Sequence, residues 1–501
     1  MDNNVDAVNL SGKTAENSGE AAQTNRSVGR MKFREKQFKV RNSLLTTYFE
    51  TSNEANELPV APIRNVFVAG FTLLCLYAVV RDIVSGFRHQ RFLTAVSTYC
   101  SPIHHFWLIL WNFEQLPQTM LCWMLMAISS LLPYVVLKQW SKVPAVKVDW
   151  LTSAALIILY IIYLFLLFCI PLMFLFWMDL RTACSFIITC ENTRIAMKVH
   201  SFIRENVPRV LRIKKALTEK VESKDEKIMA FPDITRFFYF FFCPTFIYRD
   251  EYPRSKHRCM RRVYKCFGQA VLMIYFTNLV CTQIIQSSFV PINYGKITFG
   301  EIIVCIFPAI IPAMLCLMLL FYGLLHCWLN AFAELLRFGD REFYLDWWNS
   351  KSMAEYYRKW NLVVHEWLYA YIYRDIALLI GSKNDTKLSQ MMVFFLSSAF
   401  HEYWFGVALR MFYPVMFTLY FVFGGIFFAI SRFVRSGYLW NTLMWGNLLI
   451  GTGMFVAFYT QEWYSRHRCP SSFDSTVLDF FIPRHWMCNN DEYFSNSKST
   501  A

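Results

Sequence analysis

His401 lies inside an apolar run, MMVFFLSSAFHEYWFGVALRMF (391–412), where an ionisable side chain is expensive and tends to be functional. At helical spacing it shares a stripe with Ser397, Ser398, Trp404 and Phe405. Glu402 lies about 100° further round the same helix. A histidine in a dry, polar-lined cavity titrates near working pH and can serve as a general base. A hydrogen-bonded histidine that merely packs two membrane helices would leave the same trace.

A second constellation is REFYLDWWNSKSMAEYYRKWNLVVHEWLYAYIYRD, Arg341–Asp375. It crowds aromatics with Asp346, Asn349, Arg358, Asn361 and His365. A buried Asn361 amide could donate to a developing oxyanion, while Arg358 and Lys387 could pair with phosphates. Asn361 and His365 are four apart, so one helix face is expected to carry both. An interfacial aromatic belt explains the same composition more plainly. VHSFIRENVPR (199–209) and FFCPTFIYRDEYPR (241–254) read as solvated basic edges. No CxxC pair, HExxH, GxxxxGK[ST] or GxGxxG after a strand occurs, and no internal repeat is visible. These patterns weigh against a zinc site, an ATP-driven or inverted-repeat transporter and a nucleotide-linked dehydrogenase. No metal or cofactor is expected.

The elements that must position these groups follow from composition. Of 501 residues, 55% are hydrophobic, 18% aromatic and only 17% charged, with a mean hydropathy of +0.29. A water-soluble globule carries nearer a quarter charged residues. The +14 net charge sits beside long apolar runs, which favours basic cytosolic loops of a polytopic membrane protein over a nucleic-acid surface. Eight stretches are apolar over about the 20 residues that a bilayer crossing needs: Val66–Val80 with its flanks, Pro117–Leu137, Leu151–Met178, Gly268–Gln286, Ile302–Trp328, Met391–Phe412, Val415–Ile430 and Leu443–Tyr459. Leu180–His200 reads as a ninth, partly polar helix packed against protein. Nine spans place the basic loops 201–265 and 330–375 in the cytosol with residues 1–62, which read as largely disordered and without a signal peptide. The transmembrane region then covers 63–460, and the tail 461–501 lies across the membrane. In that tail Cys469 and Cys488 bracket PSSFDSTVLDFFIPRHWM. The spacing suits a disulfide in an oxidising compartment or two unpaired thiols equally.

FYLDWWN (Phe343–Asn349), SAFHEY (Ser398–Tyr403), HCWLNAFAELLRFGDREFY (His326–Tyr344), WNLVVHEWLY (Trp360–Tyr369) and QEWYSRHRCP (Gln461–Pro470) together resemble the membrane-bound O-acyltransferase superfamily, in its sterol O-acyltransferase branch. The likeness covers roughly 195–490. FYxDWWN is shared with diacylglycerol O-acyltransferases, whereas HSFIRENVPR, IYRDEYPR and the cysteine tail are closer to the sterol enzymes.

The resemblance implies an all-α fold of about nine membrane helices around an intramembrane reaction chamber. It implies acyl transfer from a long-chain acyl-CoA, a co-substrate and not a cofactor, to a sterol hydroxyl; diacylglycerol is the alternative acceptor, and a transporter the alternative of another class. His401 falls on the family's catalytic histidine and Asn361 on its partner. Glu355, Tyr357, Arg358, Trp360, Asn361, His365, Tyr373, Lys387 and Ser397 fall on or near acyl-CoA contacts. Phe343, Tyr344, Asp346, Trp347, Trp348 and Asn349 would shape the acyl-CoA entrance. Cys469 and Cys488 fall where the sterol enzymes form a lumenal disulfide. The resemblance also implies residence in the endoplasmic reticulum membrane, a cytosolic N-terminus, a lumenal C-terminus, and a homodimer or homotetramer.

Overall fold

A computed structural model describes residues 34–46, 73, 76, 80, 102–143, 150–219, 230–289, 299–380, 386–431, 433, 434, 436–469, 471 and 473–486. Everything below belongs to the unit that begins at Lys36. Among these residues the fold is helical, relieved only by isolated bridges pairing Arg41 with Asp340 and Arg254 with Phe338.

Helices α1 (Pro102–Asn112), α2 (Leu116–Ser129) and α3 (Leu131–Lys142) come first. The break at Ser130 precedes Pro133, whose ring nitrogen cannot donate to Ser129 and whose ring crowds that carbonyl. Helix α4 (Trp150–Trp177) is apolar almost all round, and at about 1.5 Å per residue it spans far more than the hydrocarbon core. Its Ile157, Ile161 and Phe165 lie bare, as lipid-facing side chains should. Helix α5 (Thr182–Glu219) is the opposite case. Ser185, Thr189, Asn192, Ser201 and Asn206 are fully buried within it, and polar side chains at that depth need protein partners, not lipid. Asn192 Nδ2 donates to the Leu167 carbonyl at 2.9 Å, and Thr189 and Thr193 donate back to carbonyls of their own helix.

After α6 (Ile234–Phe242) comes α7 (Met260–Leu279), which runs on through a π-helical stretch, Val280–Ile285. Helix α8 (Phe299–Leu320) continues through another, Phe321–Trp328, to Leu329–Leu335. Helices α9 (Met353–Trp360) and α10 (362–380) lie between α8 and the next long helix. Helices α11 (Thr386–Leu409), α12 (Val415–Ser431), α13 (Gly437–Arg468) and α14 (Thr476–Phe481) close the bundle.

Six helices are long and apolar enough to cross a membrane: Leu116–Lys142, Leu151–Trp177, Met260–Ile285, Ile303–Leu335, Lys387–Leu409 and Gly437–His467, with Val415–Ser431 a shorter apolar seventh. The chain is therefore a multi-pass membrane protein, with fewer qualifying helices described than the nine expected. The expected span Val66–Val80 lies outside the described residues except at Leu73, Leu76 and Val80, which are helical. The expected ninth span, Leu180–His200, is only the first half of α5, because Ser201–Glu219 extends the same helix instead of opening a loop. Residues 36–46 also depart from the expectation of disorder: Ser43 is 1% exposed, packed against α8 and the segment after it.

The connections gather into two ends. At one, Gln115 Nε2 donates to the Met178 and Asp179 carbonyls, Arg410 pairs with Asp179, and the Phe412 amide donates to the Phe480 carbonyl. At the other, the Gly339 amide donates to the Pro253 carbonyl at 2.8 Å, and Asn441 Nδ2 donates to the Trp348 carbonyl at 2.8 Å.

Candidate active site

His401 sits on α11 with its Nδ1 2.7 Å from the Ser397 carbonyl. A carbonyl can only accept, so Nδ1 carries the proton and Nε2 presents its lone pair. The ring lies between two aromatics, stacked on Tyr420 (centroids 5.0 Å, 20°) and tilted against Trp404 at 4.7 Å. Trp404 Nε1 is anchored by Thr193 Oγ1 of α5 at 2.9 Å. Tyr420 belongs to a π-helical stretch, Thr418–Phe423, within α12, and such bulges re-aim side chains, frequently at functional sites. Nothing in TLYFVF marks Tyr420 in the sequence, which is why it escaped notice. Glu402 does serve another contact: its Oε2 accepts the Phe417 amide at 3.1 Å and its Oε1 the Tyr459 hydroxyl at 3.0 Å. It thereby ties α11 to the start of α12 and to α13.

Asn361 is the N-cap of Leu362–Trp367, in an extended conformation, and its Oδ1 accepts the Val364 amide at 3.2 Å. Asn361 stands at the helix end, one turn before His365, whose amide donates to the Asn361 carbonyl at 2.9 Å. The cap occupies Oδ1 and leaves the two Nδ2 hydrogens as what this side chain can offer a ligand. His365 instead heads a column of rings on α10, with Tyr369 at 6.4 Å and Tyr373 a further 5.4 Å on.

Helix α9 opens on a capping pair. Ser352 Oγ accepts the Glu355 amide at 3.2 Å and Glu355 Oε2 accepts the Lys351 amide at 2.7 Å. Lys359 bridges Glu355 (2.6 Å) and Asp346 (2.8 Å). Burial opposes the charge on Glu355, but the Lys359 bond and the Lys351 amide prevail and hold its carboxyl below the ordinary range. Glu355 is thus an internal partner in this structure. Tyr357 lies against α12: a Cβ on Gly424 would stand 3.5 Å from its hydroxyl, and its ring meets Phe394 of α11 at 5.0 Å. Burial, and then nearby Tyr420, push the Tyr357 phenol above its ordinary value. Helix α12 therefore touches both clusters, His401 through Tyr420 and α9 through Gly424. Arg358 and Lys387 are exposed, and Ser397 contributes its carbonyl to His401.

The Phe343–Asn349 segment is mostly interior. Trp347 is 2% exposed and meets Phe321, Trp360, Tyr356, Trp348 and Trp445. Phe343 and Tyr344 are buried too. Backbone bonds from Leu345 to Lys359 and from Leu362 to Phe343, each 2.9 Å, lash the segment alongside α9.

The two stretches read as solvated basic edges are corrected. Arg204 grips Asp375 at 2.7 and 3.0 Å, Arg209 grips Asp250 at 3.0 and 2.6 Å, and Trp367 Nε1 donates to Ser201 Oγ at 2.9 Å. Phe202, Ile247 and Tyr248 are buried between these pairs. Arg204, Arg209 and Arg249 are scaffold, because each faces an acid far away in sequence, while Arg254 is exposed. Among the described residues no cluster of three His, Cys, Asp or Glu could hold a metal. Cys469 is disulfide-bonded, and Cys488 lies outside the described residues.

The family model of membrane-bound O-acyltransferases matches residues 172–461, a stretch that contains both clusters. The chain is 36% identical over 453 residues to sterol O-acyltransferase 1 of Mus musculus, covering 89% of this chain and 78% of that protein. It is 35% identical over 457 residues to sterol O-acyltransferase 2 of Homo sapiens, covering 91% of this chain and 81% of the relative. With sterol O-acyltransferase 2 of Mus musculus it shares 34% over 429 residues, 85% of this chain and 77% of the relative.

Proposed function

The chain belongs to the membrane-bound O-acyltransferase family, and on that premise we propose that it transfers a long-chain fatty acyl group from acyl-CoA to the 3-hydroxyl of a sterol. The products are steryl ester and CoA. The observation that carries the mechanism is the His401 Nδ1 bond to Ser397, since it leaves Nε2 as the basic nitrogen. In the reaction, Nε2 takes the hydroxyl proton while the sterol oxygen attacks the thioester carbonyl. Asn361 donates from Nδ2 to the oxyanion. The C–S bond then breaks, and the CoA sulfur leaves with the proton that His401 returns. A positioned base contributes about 10²–10⁴-fold, and an oxyanion donor about 10²–10³-fold.

The acyl-CoA contacts follow the same reading. Arg358 and Lys387, both exposed, receive the phosphates of the CoA head. Tyr357, Trp360, His365, Tyr373 and Ser397 border the tail, and Phe343–Asn349 holds the entrance in shape. The end of the bundle bearing Pro253, Gly339 and Trp348 carries the exposed bases Arg254, Lys256, Arg258 and Arg261, which the positive-inside rule assigns to the cytosol. The opposite end, with Asp179, Arg410 and α14, then faces the lumen of the endoplasmic reticulum. There an oxidised Cys469–Cys488 pair is stable. Two or four copies assemble in the membrane.

Membranes containing the protein, supplied with labelled acyl-CoA and either a sterol or diacylglycerol, test the acceptor. Labelled steryl ester is expected. Label in triacylglycerol alone would make it a diacylglycerol O-acyltransferase, and consumption of neither acceptor would overturn the reading.

A further inference from the structure

Residues 36–45 precede the stretch matched by the family model, yet they are built into the segment beside α9. The Arg41 amide donates to the Gly339 carbonyl at 2.9 Å, and the Arg341 amide donates back to the Arg41 carbonyl at 3.1 Å. The Arg41 guanidinium pairs with Glu342 and lies 3.8 Å from Asp340. Phe38 stands edge-on to Tyr252 at 5.2 Å and to Phe338 at 6.2 Å. Gly339 makes this approach possible: a Cβ there would lie 2.9 Å from the Pro253 carbonyl oxygen and 3.2 Å from Val40 Cγ2.

At the end of this run Ser43, 1% exposed, closes a buried triangle. Its Oγ is 3.0 Å from the Tyr344 hydroxyl and 3.2 Å from His326 Nδ1, and Tyr344 Oη is 2.7 Å from the same nitrogen. In one consistent assignment Tyr344 Oη donates to Nδ1 and accepts from Ser43 Oγ. Tyr344 is therefore held by His326 of α8 and by Ser43 of the N-terminal segment. Its neighbour Phe343 accepts the Leu362 amide at 2.9 Å, at the first helical residue after Asn361, and Leu345 donates to Lys359 at 2.9 Å. Through the backbone bonds that flank it, Tyr344 is coupled to the end of α9.

We propose that Lys36–Leu45 is a positioning strap for the acyl-CoA segment, acting through the Ser43–Tyr344–His326 triangle. Ser43, Tyr344 and His326 are positioning residues; none needs to touch substrate. The link to acyl-CoA rests on the proposed function above, whereas the strap itself does not.

Two measurements separate them. Hydrogen exchange without substrate reads the strap: Ser43→Ala should raise exchange across 338–349 while α4 and α13 stay protected. Binding of a non-transferable thioether acyl-CoA analogue reads the link. Its Kd should weaken on the order of fivefold in Ser43→Ala, the scale of one buried hydrogen bond. Saturating kcat and the sterol KM should stay within about twofold. Tyr344→Phe should raise the same exchange and weaken the same Kd, and the double variant no more than either single one, since both break one triangle. Ser43→Thr, which keeps the hydroxyl, should restore the Kd. Unchanged exchange in Ser43→Ala overturns the strap. Raised exchange with an unchanged Kd overturns its action on acyl-CoA. A uniform loss of protection over the whole chain, or equal losses in Kd, kcat and sterol KM, would show a merely structural role. Failure of wild type to esterify any sterol would sink the acceptor, yet leave the exchange result standing.

Discussion

Among the described residues His401 makes one hydrogen bond, to the Ser397 carbonyl, and otherwise meets the rings of Tyr420 and Trp404. The Phe343–Asn349 segment is tied at nearly every residue. Trp347 meets five rings, Tyr344 closes the triangle with Ser43 and His326, and Asn441 reaches the Trp348 carbonyl. A group that must exchange a proton needs a nitrogen whose lone pair is not already taken, and an apolar wall that keeps water from competing. A segment that must hold a shape needs its backbone tied and its rings packed. On the proposed function the two most conspicuous motifs in this chain do different jobs, and substitutions can tell those jobs apart.

The largest effect belongs to His401→Ala. Turnover should fall by at least about 10³-fold, as loss of a positioned base predicts, while the melting temperature stays near wild type. Ester formation by the purified variant at more than a few per cent of wild type would end the contrast, because His401 would then be packing, not chemistry. Trp347→Ala should do the converse. Truncating a buried tryptophan costs about 3–5 kcal/mol in stability, so the yield of folded protein and the melting temperature should drop together. Whatever folds should esterify sterol at a rate closer to wild type than His401→Ala does. Normal thermal stability in that variant would move Trp347 out of the scaffold.

Asn361 is both a helix cap beside the Leu362–Phe343 bond and, on the proposed function, the oxyanion donor, which makes it the sharpest probe of the boundary. Asp caps helices as well as Asn does, so Asn361→Asp should keep the Val364 bond and the melting temperature. It lacks the amide donor and adds charge where an oxyanion would form, and kcat should fall about 10²–10³-fold. Asn361→Ala loses the cap as well and should cost about 1 kcal/mol in stability besides. If the Asp variant kept full activity, the amide would be a cap and nothing more.

Much of this was legible in advance, and the rest failed for identifiable reasons. Apolar runs such as Leu151–Met178 gave helices because lipid leaves the backbone no other partner. The histidine at 401 stood out because its surroundings are so apolar. Periodicity could not reveal that Arg204 and Arg209 face Asp375 and Asp250, since each pairing joins distant elements. It could not give Tyr420 either, as a π-helical stretch breaks the 3.6-residue register by which neighbours are counted. Ser43 was hidden by its position: a serine in a polar N-terminal stretch carries no mark of burial until His326 and Tyr344 close on it. Nor did the resemblance that marks Glu355 as a ligand contact point to its pairing with Lys359, an i,i+4 pair that the helix itself supplies.

The smallest effect tests how much of the segment's hold is electrostatic. The Asp346 carboxylate is 40% exposed and pairs with Lys359, which keeps Glu355 as a second partner. A part-exposed pair of this kind is worth up to about 1 kcal/mol, so Asp346→Ala should lower the melting temperature by only a few degrees. That is far less than Trp347→Ala. The remaining Lys359–Glu355 pair has a defined pH signature. Because the Glu355 carboxyl is held below its ordinary value in the folded protein, its contribution is full above that ordinary value, about 4.3. It declines as pH falls past 4.3 and is gone below the lowered folded value. Melting of Asp346→Ala should accordingly be flat from pH 8 to about 5 and diverge from Asp346→Ala/Glu355→Gln only in that range, the curves meeting in strong acid. Curves that coincide at pH 7 would mean Glu355 adds nothing, and the segment would be held by its rings and backbone alone.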